Sequence, residues 1–513
     1  MTLQTDQPSV KNQPVFLSVT EEALHALIIR RTGIVLRDFQ IRALRQALAE
    51  VCTSFGYGDE ASLLQELSRK RSSAPEFEFL LTRITIGESY FFRHAEQMAL
   101  LRDELLPELI ARKRRDRDCS LRVWSAGCSS GQEIYSLVIT LYELLPDIDD
   151  WNLHFLATDI NKNALADAIQ GRYKEWSLRE TPEAIAKKYF NESRGEYQLR
   201  DDICRRVKFA YLNLAEDVFP ALHTDTNAID IILCRNVFIY LEPESIRRIV
   251  QQFFECLVPD GLLFLGVSDF VDKYPDELTH IQRGSFFYFE RESDGCREFP
   301  AVPPSGVCAI ERDIAKNVSG IERGEERIAC EHNAQLSEAF TQDSSPVDCL
   351  RAGRWHDTLL AVDRAFRTAG ESAGLLQIKS KALANLGRLD EALQSCRKSL
   401  ALNPVDKHIY LLQGTILLEN ARSNEAEEAF RKAIFLDYTF PEAHYQLGLL
   451  LINRGDRKMG LKCLSSALTH AKKQLPHHEV HNAPGMSYQR FVEIIQNEMS
   501  IYVGAASRIQ NNG

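Results

Sequence analysis

Residues 121–136, LRVWSAGCSSGQEIYS, decide the fold. The opening Leu121-Arg122-Val123-Trp124 is apolar, β-branched and aromatic enough for a buried strand. Small residues then run from Ser125 to Gly131, and Gln132-Glu133 lead into a helical pattern of Ile134, Leu137, Val138 and Leu141. A strand, a tight glycine turn and a helix N-terminus together form the cradle that open α/β sheets offer to an adenosine cofactor. Small residues such as Gly127 let the backbone approach a ligand, and Gly131 can take a positive φ. Many strand–helix turns carry two glycines and bind nothing, so the surrounding motifs decide between the two readings.

Toward the C-terminus the alternation continues. Residues 153–159 read as a second strand ending on Asp159. An acid about 20–25 residues past the glycine turn is placed to accept both ribose hydroxyls of an adenosine, although an N-cap role is also open to it. Residues 171–206, with Tyr173, Tyr189-Phe190 and Tyr197, read as a small inserted unit of helix plus hairpin. Strand-like runs resume at 207–214, 229–241, 262–268 and 285–290, with a helix over 243–257. Strands alternating with helices of 10–15 residues predict a mostly parallel, doubly wound sheet, and the final hairpin-like pair predicts an antiparallel edge.

Toward the N-terminus, residues 15–82 follow a helical period: Leu24, Leu27, Ile28, then Ile41, Leu44, Leu48, Val51, then Leu63, Leu67, then Phe77, Leu80. Arg37, Arg42 and Arg45 on the second helix are read either as outward-facing cations or as ordinary surface arginines. Residues 1–14 read as a disordered lead-in. Residues 88–93, ESYFFR, precede a helix from His94 to about Arg112; the aromatics fit a core and the arginine fits a cleft between domains.

Past residue 292 the composition changes to Pro300, Pro303, Pro304 and many Glu and Arg, which marks a flexible linker over 293–345. From 346 onward an internal repeat takes over. Gly353, Gly387, Ala421 and Gly455 recur every 34 residues, as do Ala365, Ser399, Ala433 and Ala467. Two helices per unit with small residues at the crossings and this period are the tetratricopeptide signature. Phe491, Val492, Ile495 and Met499 mark a capping helix, with a disordered end over 504–513. The predicted class is α/β: an N-terminal all-α domain (15–82), a doubly wound Rossmann-like domain with a small inserted subdomain (83–292), the linker, an all-α repeat domain (346–475), then a capping helix and tail (476–513).

Composition excludes several classes. The net charge of −11 and the lack of a strongly basic domain argue against a nucleic-acid binder. The cluster at 112–115, RKRR, is interleaved with Asp116 and Asp118 and reads as a solvated helix end. Twelve cysteines stand singly, without metal-ligand spacing, and read as reduced thiols; no metal site is expected. No apolar run reaches the roughly 20 residues that span a bilayer, and the N-terminus has no apolar core for a signal peptide. The expected location is cytoplasmic, without membrane insertion.

With these residues in hand, the region 15–292 resembles the chemotaxis receptor methyltransferases, the CheR family. The likeness is carried in order by ESYFFR (88–93), VWSAGCSSGQEIYS (123–136), ATDI (157–160), Asn213-Leu214, CRNVFIYL (234–241) and GLLFLGVSD (261–269). With the repeats added, the whole chain looks like the WspC-type members, which act on surface-sensing receptors in biofilm control. The resemblance implies methyl transfer from S-adenosylmethionine, leaving S-adenosylhomocysteine, to glutamates on the cytoplasmic helices of a methyl-accepting receptor. Ser89 would stand where threonine is usual, and Arg93 beside the methionine moiety. Glu133 would contact the methionine amino group and Asp159 the ribose. Asn213 and Leu214 would border the adenine; Arg235 and Asn236 would line the methyl-donor cleft. Tyr240, with Arg93, would reach the incoming carboxylate. Gly87 occupies a position where many members carry asparagine, and Gln132 stands beside Glu133 where two acids are common; both bear on cofactor affinity.

A glutamate with a reference pKa of about 4.3 is already ionised near neutrality, so methyl transfer to it needs no general base. The 13 histidines are accordingly dispersed. Arg37, Arg42 and Arg45 would set receptor register by charge, and the repeats would take a protein or peptide ligand, or self-associate. The inserted unit corresponds to a subdomain that in some relatives captures a receptor's C-terminal peptide, with the repeat domain as the alternative docking element. Two other readings compete: a methyltransferase with a non-receptor substrate, and a repeat scaffold with a vestigial cofactor pocket.

Overall fold

A computed structural model describes residues 17–69, 74–217, 219–221, 224–283, 286–292, 345–351, 354–480 and 486–510. The lead-in, nearly all of the linker, Gly353 and the last three residues of the tail lie outside them.

Four helices come first: Val19–Thr32, Asp38–Phe55, Glu60–Arg69 and Pro75–Ile84. The first is fixed by a capping box, in which the Ser18 hydroxyl accepts the Glu21 N–H and Glu21 accepts the Ser18 N–H. Leu24, Ile28, Leu44, Leu48, Val51, Leu63, Leu67, Phe77 and Leu80 share one core. Arg45 does not present its charge freely, as one reading of the sequence had it. It pairs with Glu21, which is only 5% exposed and needs a counter-charge.

Ten strands follow: β1 (Ser120–Ala126), β2 (Asn152–Asp159), β3 (Arg172–Lys174), β4 (Phe190–Ser193), β5 (Glu196–Leu199), β6 (Val207–Tyr211), β7 (Ile229–Cys234), β8 (Leu257–Leu265), β9 (Leu278–Arg283) and β10 (Phe286–Arg291). Seven form one sheet in the order β6-β2-β1-β7-β8-β10-β9, parallel up to β8, with the β10–β9 hairpin antiparallel at one edge. Alternation along β1 buries both faces. Leu121 and Val123 join the core beneath the helix Gln132–Leu144, and Trp124 and Ala126 join the opposite core with Phe253 of the helix Pro243–Cys256. β3, β5 and β4 form the separate sheet of the inserted unit.

Two strands are shorter than their apolar runs. β6 stops at Tyr211 rather than Leu214, and β7 at Cys234 rather than Leu241. The extra apolar residues Leu212, Leu214 and Val237 lie on loops and line a cleft.

The C-terminal third is a stack of helices: Trp355–Ala369, Ala373–Asn385, Leu389–Leu402, Lys407–Glu419, Ser423–Leu436, Pro441–Asn453 and Arg457–Ala471. Positions kept small let paired helices touch. A Cβ on Gly414 would lie 2.5 Å from Phe430 Cε1, and one on Gly448 2.9 Å from Leu464 Cδ2. The last helix, Tyr488–Gln510, runs past Gly504, because Ala505, Ala506 and Arg508 are good helix formers. The array docks on the N-terminal ends of the sheet strands. Arg122 of β1 pairs with Glu419, Asn152 Nδ2 donates to the Glu419 carbonyl at 3.1 Å, and Asn227 Nδ2 donates to the Ala384 carbonyl at 3.4 Å.

Candidate cofactor cleft

The C-terminal ends of β1, β2, β6 and β7 open into a cleft roofed by the N-terminal helices. The roof is stitched on by backbone. Val35 N–H donates to the Tyr240 carbonyl at 2.8 Å, and Glu242 N–H to the Gly33 carbonyl at 2.8 Å. Arg37 Nη2 donates to the Ile239 carbonyl at 3.0 Å, so this arginine braces the loop that carries Tyr240.

The glycine turn sits at the cleft floor. Gly127 has φ +77°, and a Cβ there would come within 2.5 Å of Val237 Cγ2. Two carboxylates stand at the neighbouring strand ends. Glu133, in the first turn of its helix, accepts the Ser125 hydroxyl at Oε1 (2.7 Å) and lies 3.5 Å from Arg235 Nε at Oε2. Burial pushes its carboxyl above the ordinary value, opposed by Arg235 and Ser125. Asp159 accepts the Ser129 N–H (2.8 Å) and the Asn161 N–H (2.7 Å), and burial again raises its carboxyl against these bonds. The cap of the following helix is Asn161, whose side chain accepts from Asn163 and Ala164. The N-cap role once open to Asp159 is therefore filled by a neighbour.

On the facing wall, Arg235 is buried; its guanidinium donates to the Arg93 carbonyl and lies 3.6 Å from Met98 Sδ. Asn236 holds φ +60°. Its N–H donates to Asp269 Oδ2 at 2.5 Å, and Asp269 also accepts from Gly266 (2.8 Å) and Ile239 (3.2 Å). Arg93 donates from Nη1 to the Glu88 carbonyl at 3.0 Å and lies over the Tyr90 ring at 5.5 Å. Burial raises the Tyr240 phenol, partly countered by Arg93 and Arg37, so it stays protonated near neutrality. Three buried atoms of this wall, Arg93 Nε, Arg235 Nε and Asn236 Oδ1, have no hydrogen-bond partner among the described residues. Arg235 Nε faces Glu133 at 3.5 Å, which leaves Arg93 Nε as a donor and Asn236 Oδ1 as an acceptor, the complement of a zwitterionic ligand such as an amino acid moiety. With two further acids and apolar walls from Ile86, Leu212, Leu214 and Val237, the lining fits an adenosyl amino acid.

Of the residues singled out from sequence, Ser89, Arg93, Gly127, Glu133, Asp159, Asn213, Leu214, Arg235, Asn236 and Tyr240 all line this one cleft. Gly87 lies beside it, with its carbonyl accepting the Ser129 hydroxyl at 3.1 Å. Asn213 lines the cleft, yet its amide donates to the Arg31 carbonyl of the roof at 2.8 Å. Sequence reasoning gave no role to Asp269, although it ends the run GLLFLGVSD; an acid after an apolar strand was the available signal. No cluster that could hold a metal occurs among the described residues, and none of their helices is long and apolar enough to cross a membrane.

Known proteins share this plan. The family model for the CheR methyltransferase S-adenosylmethionine-binding domain matches residues 87–287, and the tetratricopeptide repeat model matches 373–406 and 408–439. Chemotaxis protein methyltransferase 2 of Vibrio cholerae is 34% identical over 216 residues, 42% of this chain and 73% of that one. The chemotaxis protein methyltransferase of Escherichia coli is 32% identical over 262 residues, 50% of this chain and 84% of that one. The probable biofilm formation methyltransferase WspC of Pseudomonas aeruginosa is 24% identical over 433 residues, 84% of this chain and 94% of that one.

Proposed function

Because the chain belongs to the CheR family of chemotaxis methyltransferases, enzymes that use S-adenosylmethionine, we propose that its acceptor is a glutamate side chain on the helical cytoplasmic segment of a methyl-accepting receptor. The ester so formed would tune signalling in chemotaxis or in surface sensing and biofilm control, with the enzyme acting in the cytoplasm at receptor clusters. The observation that carries this reading is that Arg93 and a protonated Tyr240 line the same cleft, with no histidine in the lining.

S-adenosylmethionine, when bound, supplies an activated methyl on a sulfonium. The chain's own residues have the tasks of binding, orientation and water exclusion. Glu133 and Asn236 Oδ1 offer acceptors to an ammonium, Arg93 Nε a donor to a carboxylate, and Asp159 an acceptor to ribose hydroxyls. Ser89 borders the methionine end, Gly127 gives the close backbone approach, and Leu212, Asn213 and Leu214 border an adenine. Arg235 holds Glu133 in place and is held in turn by the Arg93 carbonyl. Tyr240 donates one hydrogen bond to an incoming carboxylate and Arg93 steadies it. Both leave a lone pair free, whereas a tight bidentate clamp would blunt the nucleophile. His94, pushed down to about 4 by burial and by Arg235 and Arg93, is neutral and takes no part as an acid.

The repeat array we assign to a protein or peptide partner that brings enzyme and receptor together. Phe435 and Tyr438, 89% and 73% exposed at the end of one repeat, supply apolar surface for it. The test of the main proposal is transfer of tritiated methyl from S-adenosylmethionine to receptor cytoplasmic fragments. Alkali should release the label as volatile methanol, the mark of a carboxyl ester. Label that survives alkali, or none on receptor fragments despite cofactor binding, would refute it.

A further inference from the structure

One lip of the cleft, the loop after β6, is held by a residue far along the chain. Arg490, in the first turn of the last helix, donates to Asp217 Oδ1 from Nε at 2.8 Å and from Nη2 at 2.5 Å. Both side chains are 12% exposed. The other oxygen of Asp217 accepts the Asn213 N–H at 2.7 Å. Leu212, Asn213 and Leu214, the residues so tethered, line the cleft. Arg490 also pairs with Glu493 at 2.9 Å and lies over the ring of Tyr211, the last residue of β6, at 5.4 Å.

We propose that Arg490 is a positioning residue for cofactor binding, which fixes the Asn213–Leu214 lip through Asp217 and so couples the C-terminal helix to cofactor affinity. The inference rests on S-adenosylmethionine occupying the cleft as proposed above. The loop is held at several points, among them the Leu212 N–H on the Asp159 carbonyl at 3.3 Å. The Asn213 amide is tied to the Arg31 carbonyl of the roof, while its backbone is tied to Asp217. Without Arg490, Asp217 is a largely buried carboxylate with one partner fewer, and it gains by turning to water. That rotation releases the Asn213 N–H and lets the apolar lip open. Coupling is reciprocal: a cofactor that needs the lip closed also holds the last helix down, and whatever displaces that helix weakens the cofactor.

The test is calorimetric titration of the full chain with S-adenosylhomocysteine, with steady-state kinetics alongside. Arg490→Ala should weaken binding roughly tenfold, the scale of the one hydrogen bond to a charged group, Asn213 N–H to Asp217, that it releases at the lip. The cofactor KM should rise in step while kcat at saturation stays within about twofold, since the reacting groups are untouched. Arg490→Lys should recover part of the loss. Glu419→Gln, at the other docking point of the array, should leave cofactor affinity alone. Hydrogen exchange at the Asn213 amide should speed up in Arg490→Ala and return toward the parent in Arg490→Lys; should Arg490→Ala not fold, Arg490→Gln replaces it in both measurements. Parental affinity in Arg490→Ala, with Asp159→Ala losing binding, overturns the coupling alone. Parental affinity in Asp159→Ala overturns the cleft assignment beneath it. Equal weakening by Glu419→Gln shows general loosening of the array and also overturns the coupling.

Discussion

The cleft and the helix crossings inside the repeat array bury very different chemistry. Around the strand tips, Glu133, Asp159, Arg235 and Asp269 are held inside the protein by backbone N–H groups, a hydroxyl and each other. The array buries Ala392, Ala426, Ala433, Leu412, Leu447 and Phe430, and it sets ion pairs such as Arg388–Glu391 on its surface. Buried charge is costly unless every group is satisfied, so the cleft spends stability on placing atoms. The array gains stability from small side chains that let helices touch. The two regions should therefore fail in different ways when altered.

The sharpest separation should come from Asp159→Ala. It removes the acceptor of two backbone N–H groups and the proposed ribose partner, and binding of S-adenosylhomocysteine should fall by about 100-fold or more, the scale of hydrogen bonds to a charged group. The melting temperature should move much less, because an unpaired N–H at the cleft can turn to water. A large fall in stability with affinity intact would reverse the comparison at its strongest point.

A matched pair of glycine changes comes next. Gly127→Ala forces a Cβ to within 2.5 Å of Val237 at a positive φ, so the turn must shift and cofactor affinity should drop severalfold. Gly414→Ala places a Cβ 2.5 Å from the Phe430 ring inside the array. Overpacking costs about 1–3 kcal/mol, of which better helix propensity offsets up to about 1 kcal/mol. Denaturant unfolding should report a net loss of about 1 kcal/mol, with cofactor affinity unchanged.

How much of this the sequence revealed follows from distance along the chain. The array was legible because its period is local: Ser399, Ala433 and Ala467 stay in register however the rest folds. The mostly parallel sheet and its antiparallel edge followed from alternation; the order of its strands did not. Strand ends did not, because Leu212, Leu214 and Val237 are apolar in order to line a cleft, and one sequence cannot show whether a leucine faces a sheet or a ligand. Glu133, Asp159, Asn213, Leu214, Arg235 and Asn236 converged since they lie at or just after strand tips, where topology gathers them, whereas Ser89 and Arg93 reach the cleft from the segment before β1. Asp269 and Arg490 act by holding other residues, and Asp217 and Arg490 lie far apart in the chain, so no spacing rule reaches them. Arg45 was open to an outward reading for the same reason, its partner Glu21 belonging to another helix.

Acidity should move the two regions in opposite directions. Burial raises the Glu133 and Asp159 carboxyls, so both take up protons at a higher pH than exposed acids do, and affinity for a cationic cofactor should improve as pH rises through that range. At the junction between array and sheet, burial pushes Glu498 up to about 7, with Lys208 opposing and Asp225 adding to the rise. A carboxyl raised in the folded state stabilises fully below its unfolded value of 4.5 and loses that contribution as pH climbs through about 7. Calorimetry should show cofactor binding tightening as pH rises above the ordinary carboxylate range, while thermal scans between pH 6 and 8 show weaker docking of the last helix. Parallel trends would mean that one titration governs both.

The smallest effect tests whether burial, and not pairing as such, separates the regions. Arg388 and Glu391 form a forked pair with both bonds at 2.7 Å, and the side chains are 49% and 54% exposed. Arg490 and Asp217 are joined by comparable bonds at 12% exposure each. Water already competes for the first pair, and an exposed i,i+3 pair contributes about 0.5 kcal/mol or less. Arg388→Ala should thus leave chemical denaturation and cofactor affinity within error of the parent, although it deletes two good hydrogen bonds. A loss as large as that from Arg490→Ala would mean that the count of hydrogen bonds, and not their seclusion from water, sets what each region can spare.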